Sequence, residues 1–426
     1  MKNFFSHSVA IAIIFIFISC ADIFNGKTTH VISLTIPALT TKHSHVVRSP
    51  FLNTYSPWTI YAFAYGKTVD IKKVETVLTS AASTEDIRKM ITDDVLCKTI
   101  LNGVDVSLPT TVTLNSIPVS TDYFVAMFIT YGEHVVFRGT SPDNIIKDSK
   151  FNKPLHTVQS GANEISLELK KNTIAPVYFI SQTGYETGKD VSGMPLIIDA
   201  QKSTPIKPTT YSNVAKYIVS RAIDTAVIIL TDNITVEPDY ANIELGNFST
   251  YSAVNNLSFA SLTGMQYSLT AKTVGVNGDA RTLSLTDIQL ITSTSTSVTV
   301  QGNGALLKIG GETEIPSGIE LKNEISIGSS NMPPFGQIVI TQPLTRNNYK
   351  LSVYFDWGGQ VADGKIASNN FLNDYQMPLL TTSISSSWAN FFTVECNWNN
   401  NSPTPNPPIS VKWEPVASGW KLVPTE

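Results

Sequence analysis

Residues 31–36, VISLTI, and residues 58–65, WTIYAFAY, are the two stretches that decide the fold class. In the first stretch Ile32, Leu34 and Ile36 alternate with other residues, and this period of two predicts a β-strand with one buried face. In the second stretch both faces are apolar, as expected of a central strand. The alternation recurs along the chain, and we predict further strands at residues 112–114, 123–129, 135–137, 164–169, 177–180, 217–221, 227–230, 241–245, 267–272, 282–291, 297–300, 338–341, 349–356, 392–398 and 409–413.

These many short strands predict an all-β protein. Gly, Asn and Pro separate the strands, and antiparallel sheets tolerate one face in water, so we expect β-sandwiches. One short helical insertion is predicted at residues 83–101, where Ser83 or Thr84 caps the first turn and Glu85 and Asp86 follow. Apolar residues then recur at helical spacing, at Ile87, Met90, Ile91 and Val95.

The composition is that of an extracellular β protein. Hydrophobic residues make up 42% of the chain, enough for a large core, while charged residues make up only 15%, against about 25% in an average globular protein. The polar surface must therefore come from Ser, Thr and Asn, which suit strand faces and turns. The net charge of −4 lacks the basic footprint of a nucleic-acid-binding protein, so we expect no nucleic-acid partner.

The N-terminus has the features of an export signal. Lys2 precedes an apolar run at residues 9–18, which is about ten residues long, whereas a membrane-spanning helix needs about twenty. Residues 17–20, FISC, resemble the lipobox of bacterial lipoproteins. This resemblance implies a signal peptide at residues 1–19 and a lipid on Cys20, by which the protein would be held to a membrane. An uncleaved membrane anchor is the alternative.

A stretch broken by Gly and Pro, residues 181–210, divides the body of the chain. We place an N-terminal β-sandwich domain at residues 49–190 and a C-terminal β-sandwich domain at residues 191–398. Cys97 and Cys396 are the two cysteines that remain after the lipobox. The sequence leaves open whether they pair, and their wide separation favours two separate thiols.

A Pro-rich tether and a last strand, residues 399–426, end the chain. Residues 397–408 read NWNNNSPTPNPP, and proline cannot donate to a sheet, so we expect this stretch to be extended. The apolar residues that follow are Ile409, Val411, Trp413, Val416, Trp420 and Leu422. Two interpretations stay open: a strand that packs on its own domain, and a strand that adds to the groove of a neighbouring molecule.

No catalytic motif is visible. The sequence lacks an HExxH pair, a GxSxG elbow, a GxxxxGK[ST] loop and a GxGxxG turn after a strand. His43 and His45 alone make a weak metal site, and the acidic residues between 232 and 244 lack the pattern of a calcium loop. We therefore expect no enzyme, no cofactor and no metal site. The distance between any two carboxylates suited to glycoside hydrolysis cannot be read from a sequence.

Several segments resemble one protein family. Residues 217–230, YIVSRAIDTAVIIL, and residues 243–247, IELGN, resemble the start of the C-terminal domain of the Bacteroidales-type fimbrillins, the type V pilins. Residues 344–353, LTRNNYKLSV, resemble the Arg-Asn-x-x-Tyr strand of that family, with one residue instead of two between Asn347 and Tyr349. Residues 59–65 and 123–130 fit two strands of its first domain. The motifs are short, but the likeness in layout spans most of the mature chain.

The resemblance implies a specific processing step. Fimbrillins are exported as lipoproteins and have two transthyretin-like β-sandwich domains, and a trypsin-like protease removes their first strand by cutting after an arginine. Arg48 lies where that cut would fall, so residues 20–48 would form a propeptide-like segment. The displaced strand would then carry Ile32, Leu34 and Ile36.

The same resemblance implies assembly by donor-strand exchange. Loss of the first strand leaves an apolar groove and unpaired backbone, a cost of several kcal/mol, roughly, until a strand of the next subunit fills it. In this chain the donor strand would carry Ile409, Val411, Trp413, Val416, Trp420 and Leu422. The expected product is a fimbria outside the outer membrane, with other fimbrial subunits as partners. An uncut subunit would stay lipid-anchored and would suit the base of the fimbria.

A surface-exposed glycan-binding lipoprotein of the outer membrane is the second class that fits. β-Sandwiches commonly display aromatic side chains for stacking on sugars, and Trp357, Trp388 and Trp398 are the candidates. An exposed aromatic platform and monomeric behaviour would favour this class. Cleavage after Arg48 followed by polymers would favour the fimbrial class. A secreted hydrolase is a third class, but no motif in the sequence supports it.

Overall fold

The computed structural model describes residues 29–36, 40–41, 58–90, 95–104, 109–160, 163–165, 167–184, 196–199, 204–206, 209–262, 264–322, 336–346, 348–356, 379–382, 388–399, 411–416 and 419–425. Strand residues far outnumber helical ones, so the predicted all-β class is confirmed. The described residues up to Ile174, together with 197–199 and 204–205, form a first unit, and the others form a second. The boundary thus lies between Ile174 and Ala175, N-terminal to the one that we predicted.

The elements of the first unit follow one another as β1 (Thr29–Ile36), β2 (Thr40–Thr41), β3 (Trp58–Gly66), α1 (Ile71–Ser80), α2 (Thr84–Arg88), β4 (Val95–Asn102), β5 (Thr110–Pro118), β6 (Asp122–Tyr131), β7 (His134–Ser141), β8 (Ile146–Lys147), β9 (Lys150–Phe151), β10 (His156–Thr157), β11 (Asn163–Ile165) and β12 (Lys170–Lys171). After β13 (Val177–Ile180), which belongs to the second unit, β14 (Leu196–Asp199) and β15 (Thr204–Ile206) pair with β2 in a small sheet. β8 and β9 form a separate two-stranded sheet.

The sheet β12-β7-β6-β3-β4 forms the centre of the first unit, with β10 paired to β6. β3 and β6 are antiparallel, with Ile60 opposite Ile129, and both faces of these two strands are buried. On one face Phe63 and Tyr65 belong to an apolar cluster with residues of α1 and α2. The central strand that we predicted at residues 58–65 is therefore confirmed.

Two helices accompany this sheet where we predicted one. The start of α2 has the predicted cap: the Ser83 side chain accepts from the Asp86 N–H, and the Asp86 carboxylate accepts from the Ser83 N–H. Beyond Arg88 the predicted helix at residues 83–101 is wrong, because β4 occupies the second half and pairs antiparallel with β3. Backbone pairing along β3 outweighs the helical spacing of a few apolar side chains.

A smaller sheet holds β1 between β5 and β11. β1 is antiparallel to β5, with Leu34 opposite Val112, and parallel to β11, with Leu34 beside Ile165. The Thr99 hydroxyl of β4 donates to the Thr113 carbonyl of β5 at 2.5 Å, which links the edges of the two sheets. The two larger sheets of the first unit are therefore combined with a helical layer.

The elements of the second unit are β13, α3 (Tyr211–Ser220), β16 (Thr225–Leu230), β17 (Ile234–Thr235), a 3-10 turn (Pro238–Tyr240), β18 (Asn242–Gly246), β19 (Asn256–Ser261), β20 (Tyr267–Ala271), β21 (Thr273–Asn277), β22 (Thr282–Thr286), β23 (Ile288–Thr292), β24 (Val298–Gln301), β25 (Leu306–Gly311), β26 (Ile319–Lys322), β27 (Gln337–Leu344), β28 (Tyr349–Asp356), β29 (Leu380–Thr382), a second 3-10 turn (Trp388–Phe391), β30 (Phe392–Asn399), β31 (Val411–Val416) and β32 (Gly419–Pro424).

These strands stack into three walls. Wall 1 is β13-β16-β19-β22-β25-β27-β29, wall 2 is β17-β20-β23, and wall 3 is β18-β21-β24-β26-β28-β30. In the first rungs the chain visits the three walls in turn, and each strand pairs in parallel with the strand of the next rung on the same wall. The second unit is therefore a parallel β-helix.

The C-terminal antiparallel sandwich that we predicted at residues 191–398 is consequently wrong. Each wall buries one face and leaves the other outside, as a sandwich sheet does, so both folds produce the same alternation in sequence. The predicted strand at residues 217–221 is wrong too, because α3 covers most of it. The Thr210 hydroxyl caps α3 by accepting from the Asn213 N–H, and the buried side chains of α3 recur at helical spacing, at Tyr211, Val214, Ala215 and Ile218.

Inward side chains form continuous apolar columns along the β-helix. The register of wall 1 aligns five buried residues, Ile228, Phe259, Leu285, Ile309 and Ile340. The register of wall 3 aligns five more, Leu245, Val276, Val300, Leu321 and Val353. Each rung contacts mainly its neighbours, so the stabilising apolar contacts are distributed along the whole unit.

Elements outside the repeat pack on both ends of the stack of rungs. The apolar face of α3, which precedes the first rung, belongs to the same core cluster, and the hydroxyls of Tyr211 and Tyr251 lie 2.6 Å apart. After the last rung, β31 and β32 form an antiparallel hairpin, and β32 extends wall 1 by pairing antiparallel with β29, Trp420 opposite Leu380. This hairpin therefore belongs to the second unit, whereas the predicted tether at residues 402–408 lies outside the described residues.

Candidate functional site

The predicted displaced strand, β1, contributes to the core of the first unit. Ile32, Leu34 and Ile36 are 0%, 1% and 4% exposed, so the three lie together on the buried face of β1, as their alternation predicts. Their displacement from this sheet stays a prediction. Cys20 and Arg48, the predicted sites of lipidation and cleavage, lie outside the described residues.

The predicted donor segment is engaged within its own unit. Leu422 is 2% exposed, and Val411, Trp413 and Trp420 pack against the β-helix core. Val416 lies opposite Gly419 at the turn of the hairpin. The interpretation of a final strand that packs on its own domain is therefore the one that the structure supports. Ile409 lies outside the described residues.

The tryptophans that we considered for sugar stacking do not form a described platform. Trp388 is partly buried against the β-helix core, and its ring meets that of Phe391 edge-on, with 4.9 Å between the centroids. Its role in the described structure is therefore packing. Trp357 and the side chain of Trp398 lie outside the described residues.

A serine–histidine contact, which the sequence did not indicate, lies in the first unit. Ser141 Oγ and His156 Nε2 are 3.0 Å apart, and burial lowers the pKa of His156, which favours a neutral imidazole. A neutral imidazole is the form in which histidine acts as a base. Ser141, however, is only 4% exposed, so its hydroxyl is closed to a substrate in this structure. The contact ties β10 to the end of β7.

The arginine and tyrosine of the segment that resembles a fimbrillin strand hold neighbouring rungs together. Arg346 Nε lies 2.8 Å from Glu314 Oε1, and Gln289 Nε2 donates to Glu314 Oε2 at 2.9 Å. The buried Tyr349 hydroxyl donates to the Thr313 carbonyl at 2.5 Å, and burial raises the pKa of Tyr349. These contacts give this motif a structural role in the β-helix.

The outer face of wall 3 is the most uniformly polar surface of the β-helix. Every outward position whose side chain is described carries a polar residue or glycine, namely Asn242, Glu244, Gly246, Thr273, Gly275, Asn277, Thr299, Gln301, Glu320, Lys322, Lys350, Ser352, Tyr354, Thr393 and Glu395. Wall 1 differs, since the half-buried Leu306 and Val339 lie at its outward positions, and its outward Val227 and Ile229 are buried.

Neighbouring side chains on wall 3 interact both across the rungs and along one strand. The Thr273 hydroxyl donates to Glu244 Oε1 at 2.6 Å. Lys322 Nζ lies 3.0 Å from Glu320 Oε2 and 5.4 Å from the centre of the Tyr354 ring. Because successive strands of a sheet are about 4.8 Å apart, the wall presents hydrogen-bonding groups at a regular spacing.

A fully exposed phenylalanine lies where the chain leaves the first strand of wall 3. Phe248 follows β18 in the loop at residues 247–254 and is the most exposed of the large apolar side chains described. The same loop contains Tyr251 and Val254, each 1% exposed, so its base is anchored while its tip is in solvent. Sequence reasoning missed Phe248, since exposure of one aromatic residue in a loop leaves no pattern.

Three features of the described residues concern metal binding, redox chemistry and membranes. No group of three or more His, Cys, Asp and Glu side chains there could hold a metal ion. Cys97 is a free thiol, so the disulfide with Cys396 that the sequence left open is not formed. Within the described part of the chain, no helix is long and apolar enough to cross a membrane.

No protein-family model, no curated protein and no solved structure matches the chain.

Proposed function

We propose that this chain is a glycan-binding protein of the cell surface, exported as a lipoprotein through Cys20 and acting outside the outer membrane. The observation that carries the proposal is the outer face of wall 3, where the described outward positions are all polar or glycine. The hairpin is docked within its own unit, which suits a binding protein better than a subunit that donates this strand.

The repetition of wall 3 suits a polymeric ligand. A polysaccharide is a chain of similar units, each of which offers several hydroxyl groups, and the wall repeats donors and acceptors at every rung. Carboxylates, amides and hydroxyls such as those of Glu320, Gln301 and Thr299 are the groups that recognise sugar hydroxyls by hydrogen bonding. Solenoid folds use such extended faces for binding. The fold by itself assigns no function, so the proposal rests on these side chains.

Affinity electrophoresis of the full chain, purified in mild detergent, tests this proposal. Native gels that contain dissolved mannan, xylan, laminarin or dextran should retard the wild-type protein in at least one case. The double substitution Lys322→Ala and Tyr354→Ala should weaken that binding about tenfold, the equivalent of about 1.4 kcal/mol. The matched control is Lys308→Ala, a half-buried lysine on the outer face of wall 1. Absence of retardation by all four polysaccharides, or equal losses in the two variants, would refute the proposal.

A fimbrial subunit that assembles by strand exchange is the second candidate. The observation in its favour is β1, a central strand with three buried side chains, which lies N-terminal to Arg48. Cleavage after Arg48 would leave β1 bound only by noncovalent contacts, and its removal would open a groove between β5 and β11. The docked hairpin of β31 and β32 disfavours this candidate, because Leu422 would have to leave the core before it could enter another molecule.

Limited proteolysis distinguishes the two candidates. A trypsin-like protease is added to the full chain, and the products are separated by SDS gel electrophoresis without boiling. The fimbrial candidate requires a cut after Arg48 followed by SDS-resistant ladders, and Arg48→Ala should abolish both. A chain that is cut after Arg48 and stays monomeric rejects polymerisation and leaves glycan binding as the proposed function.

A further inference from the structure

We infer that Phe248 is a stacking platform for a sugar ring at the corner where wall 3 begins. This inference rests on the proposed glycan-binding function and identifies one residue that contacts the glycan. An exposed aromatic ring presents a flat apolar face, and the apolar face of a pyranose ring stacks on such a surface while the sugar hydroxyls bond to polar neighbours.

A buried arginine from the next rung holds the loop that carries Phe248. Arg281 is 6% exposed, and its Nη1 donates to the Val254 carbonyl at 2.6 Å and to the Tyr251 carbonyl at 3.4 Å. Its Nη2 donates to the Ser252 carbonyl at 2.8 Å and to Asn247 Oδ1 at 2.9 Å. All four acceptors belong to the loop at residues 247–254, so one guanidinium fixes both ends of the loop.

Two further contacts restrict the same loop. Ser249 Oγ donates to the Gly246 carbonyl at 2.9 Å, which fixes the turn immediately around Phe248. The buried hydroxyls of Tyr251 and Tyr211 lie 2.6 Å apart, which joins the base of the loop to α3. A loop backbone that is already held in place loses little conformational freedom when a ligand binds to its tip.

The hydrogen bonds of Arg281 order this loop, and the loop in turn compensates the buried guanidinium. A buried guanidinium is normally compensated by a carboxylate, whereas the four acceptors of Arg281 are neutral oxygens. The loop that this buried charge orders ends in solvent, at Phe248. Binding residues lie disproportionately on loops that a rigid scaffold holds in position.

The surroundings of Phe248 favour a sugar over a protein partner. Exposed neighbours in the loop and in the adjacent turn are mostly polar, including Asn247, Thr250, Asn277 and Asp279. Asn277 pairs with Gly246, two residues before Phe248, so the polar column of wall 3 starts beside the ring. A protein interface would surround an aromatic anchor with further apolar side chains. The net charge of −4 also disfavours a nucleic-acid base as the stacking partner.

Affinity electrophoresis of full-length Phe248 variants tests the inference, with the same four polysaccharides as probes. Phe248→Ala and Phe248→Leu should each weaken binding about tenfold, since leucine is apolar but lacks the flat ring, whereas Phe248→Trp should stay within about twofold of wild type. Met265→Ala is the control, because Met265 is another exposed apolar residue, at 42% exposure. Unchanged thermal melting in all four variants excludes misfolding.

Each other outcome overturns the inference. Wild-type binding with no loss in Phe248→Ala rejects Phe248 as a contact but leaves the proposed function standing. Full binding by Phe248→Leu rejects ring stacking. A dimer of the wild-type protein that Phe248→Ala dissociates, as seen by analytical ultracentrifugation, would assign the residue to a second copy of the chain instead. If no polysaccharide retards the wild-type protein, the proposed function and the inference both fail.

Discussion

The replacement of Leu422 by alanine tests whether the C-terminal hairpin is a fixed part of the β-helix or an arm that is free to leave it. Leu422 is 2% exposed, lies opposite Trp413 in the hairpin and belongs to the core cluster of the second unit. A free donor arm would contribute nothing to the stability of its own molecule. A docked hairpin loses buried apolar contacts when this side chain is shortened.

The expected loss follows from the burial of the side chain. Leu422→Ala removes three carbons, and at about 0.8 kcal/mol each the transfer free energy alone is about 2.4 kcal/mol. A rigid cavity would add to this value, within the range of about 2–5 kcal/mol for such substitutions. The neighbours Val411, Trp413 and Trp420 are only partly buried and can relax into the space. We therefore expect a loss of about 2–3 kcal/mol in the free energy of unfolding of the second unit.

Urea titration followed by tryptophan fluorescence measures this loss. Trp413 and Trp420 lie in the hairpin itself, so the signal reports the affected region. With a urea dependence of about 2 kcal/mol per molar, the midpoint should fall by roughly 1 M. Lys412→Ala, an exposed position on the same hairpin, should change the free energy by less than about 0.5 kcal/mol. A midpoint that is the same for Leu422→Ala and wild type would show that the hairpin is not docked, and the donor-arm interpretation would return.

Three further predictions address the loop, a half-buried histidine and the thiol. Arg281→Met should lower the free energy of unfolding by about 3 kcal/mol and speed hydrogen exchange at residues 247–254, because buried carbonyls lose a charged donor; unchanged exchange in mass spectrometry would contradict this. Burial lowers the pKa of His134 from 6.5 to about 4. As the pH falls, the unfolded chain therefore takes up a proton at this histidine before the folded chain does. The contribution of neutral His134 to the free energy of unfolding is complete above pH 6.5 and is lost as the pH falls towards 4. His134→Asn should remove this part of the loss of stability, up to about 3 kcal/mol. If the melting temperatures of the wild type and of His134→Asn fall in parallel between pH 7 and pH 4, this prediction is refuted. Because Cys97 is a free thiol, reductant should leave the melting temperature of the wild type unchanged, and likewise that of Cys97→Ser. A wild type whose melting temperature falls in reductant would indicate a disulfide.

The existence of individual strands was largely predictable, because local alternation suffices to indicate a half-buried strand. The predicted strands at residues 177–180 and 349–356 coincide with β13 and β28 over their full length. The predicted strand at residues 282–291 is two strands in two walls, since the chain turns at Asp287. Asp287 has a φ of 55°, and its carboxylate accepts from the Glu312 N–H at 2.8 Å. A partner that is distant in sequence thus creates a corner that local alternation cannot indicate.

Parallel stacking was not predictable for a related reason. Whether two strands pair in parallel depends on which strands are neighbours in the sheet, and local alternation does not show this. A regular repeat could have shown it, but successive strands of wall 1 begin at irregular intervals, at Thr225, Asn256, Thr282, Leu306 and Gln337. No repeat period therefore marks the β-helix in the sequence. The Phe248 loop was missed because its support comes from Arg281, which reads in sequence as an ordinary charged residue of a turn.

The antiparallel closure of wall 1 by β32 has a consequence for how this chain acquires its structure. Each strand of the wall offers its free backbone edge as a template for the next one, so structure can grow along the β-helix as further chain becomes available. The hairpin comes after every rung in the chain, and until it docks the edge of β29 stays open to strands of other molecules. The hairpin, which ends the run of parallel strands and leaves β31 at the edge of the sheet, is thus the last part of this wall to reach its place. A chain truncated before residue 411 would keep a growing edge and would be prone to aggregate during folding.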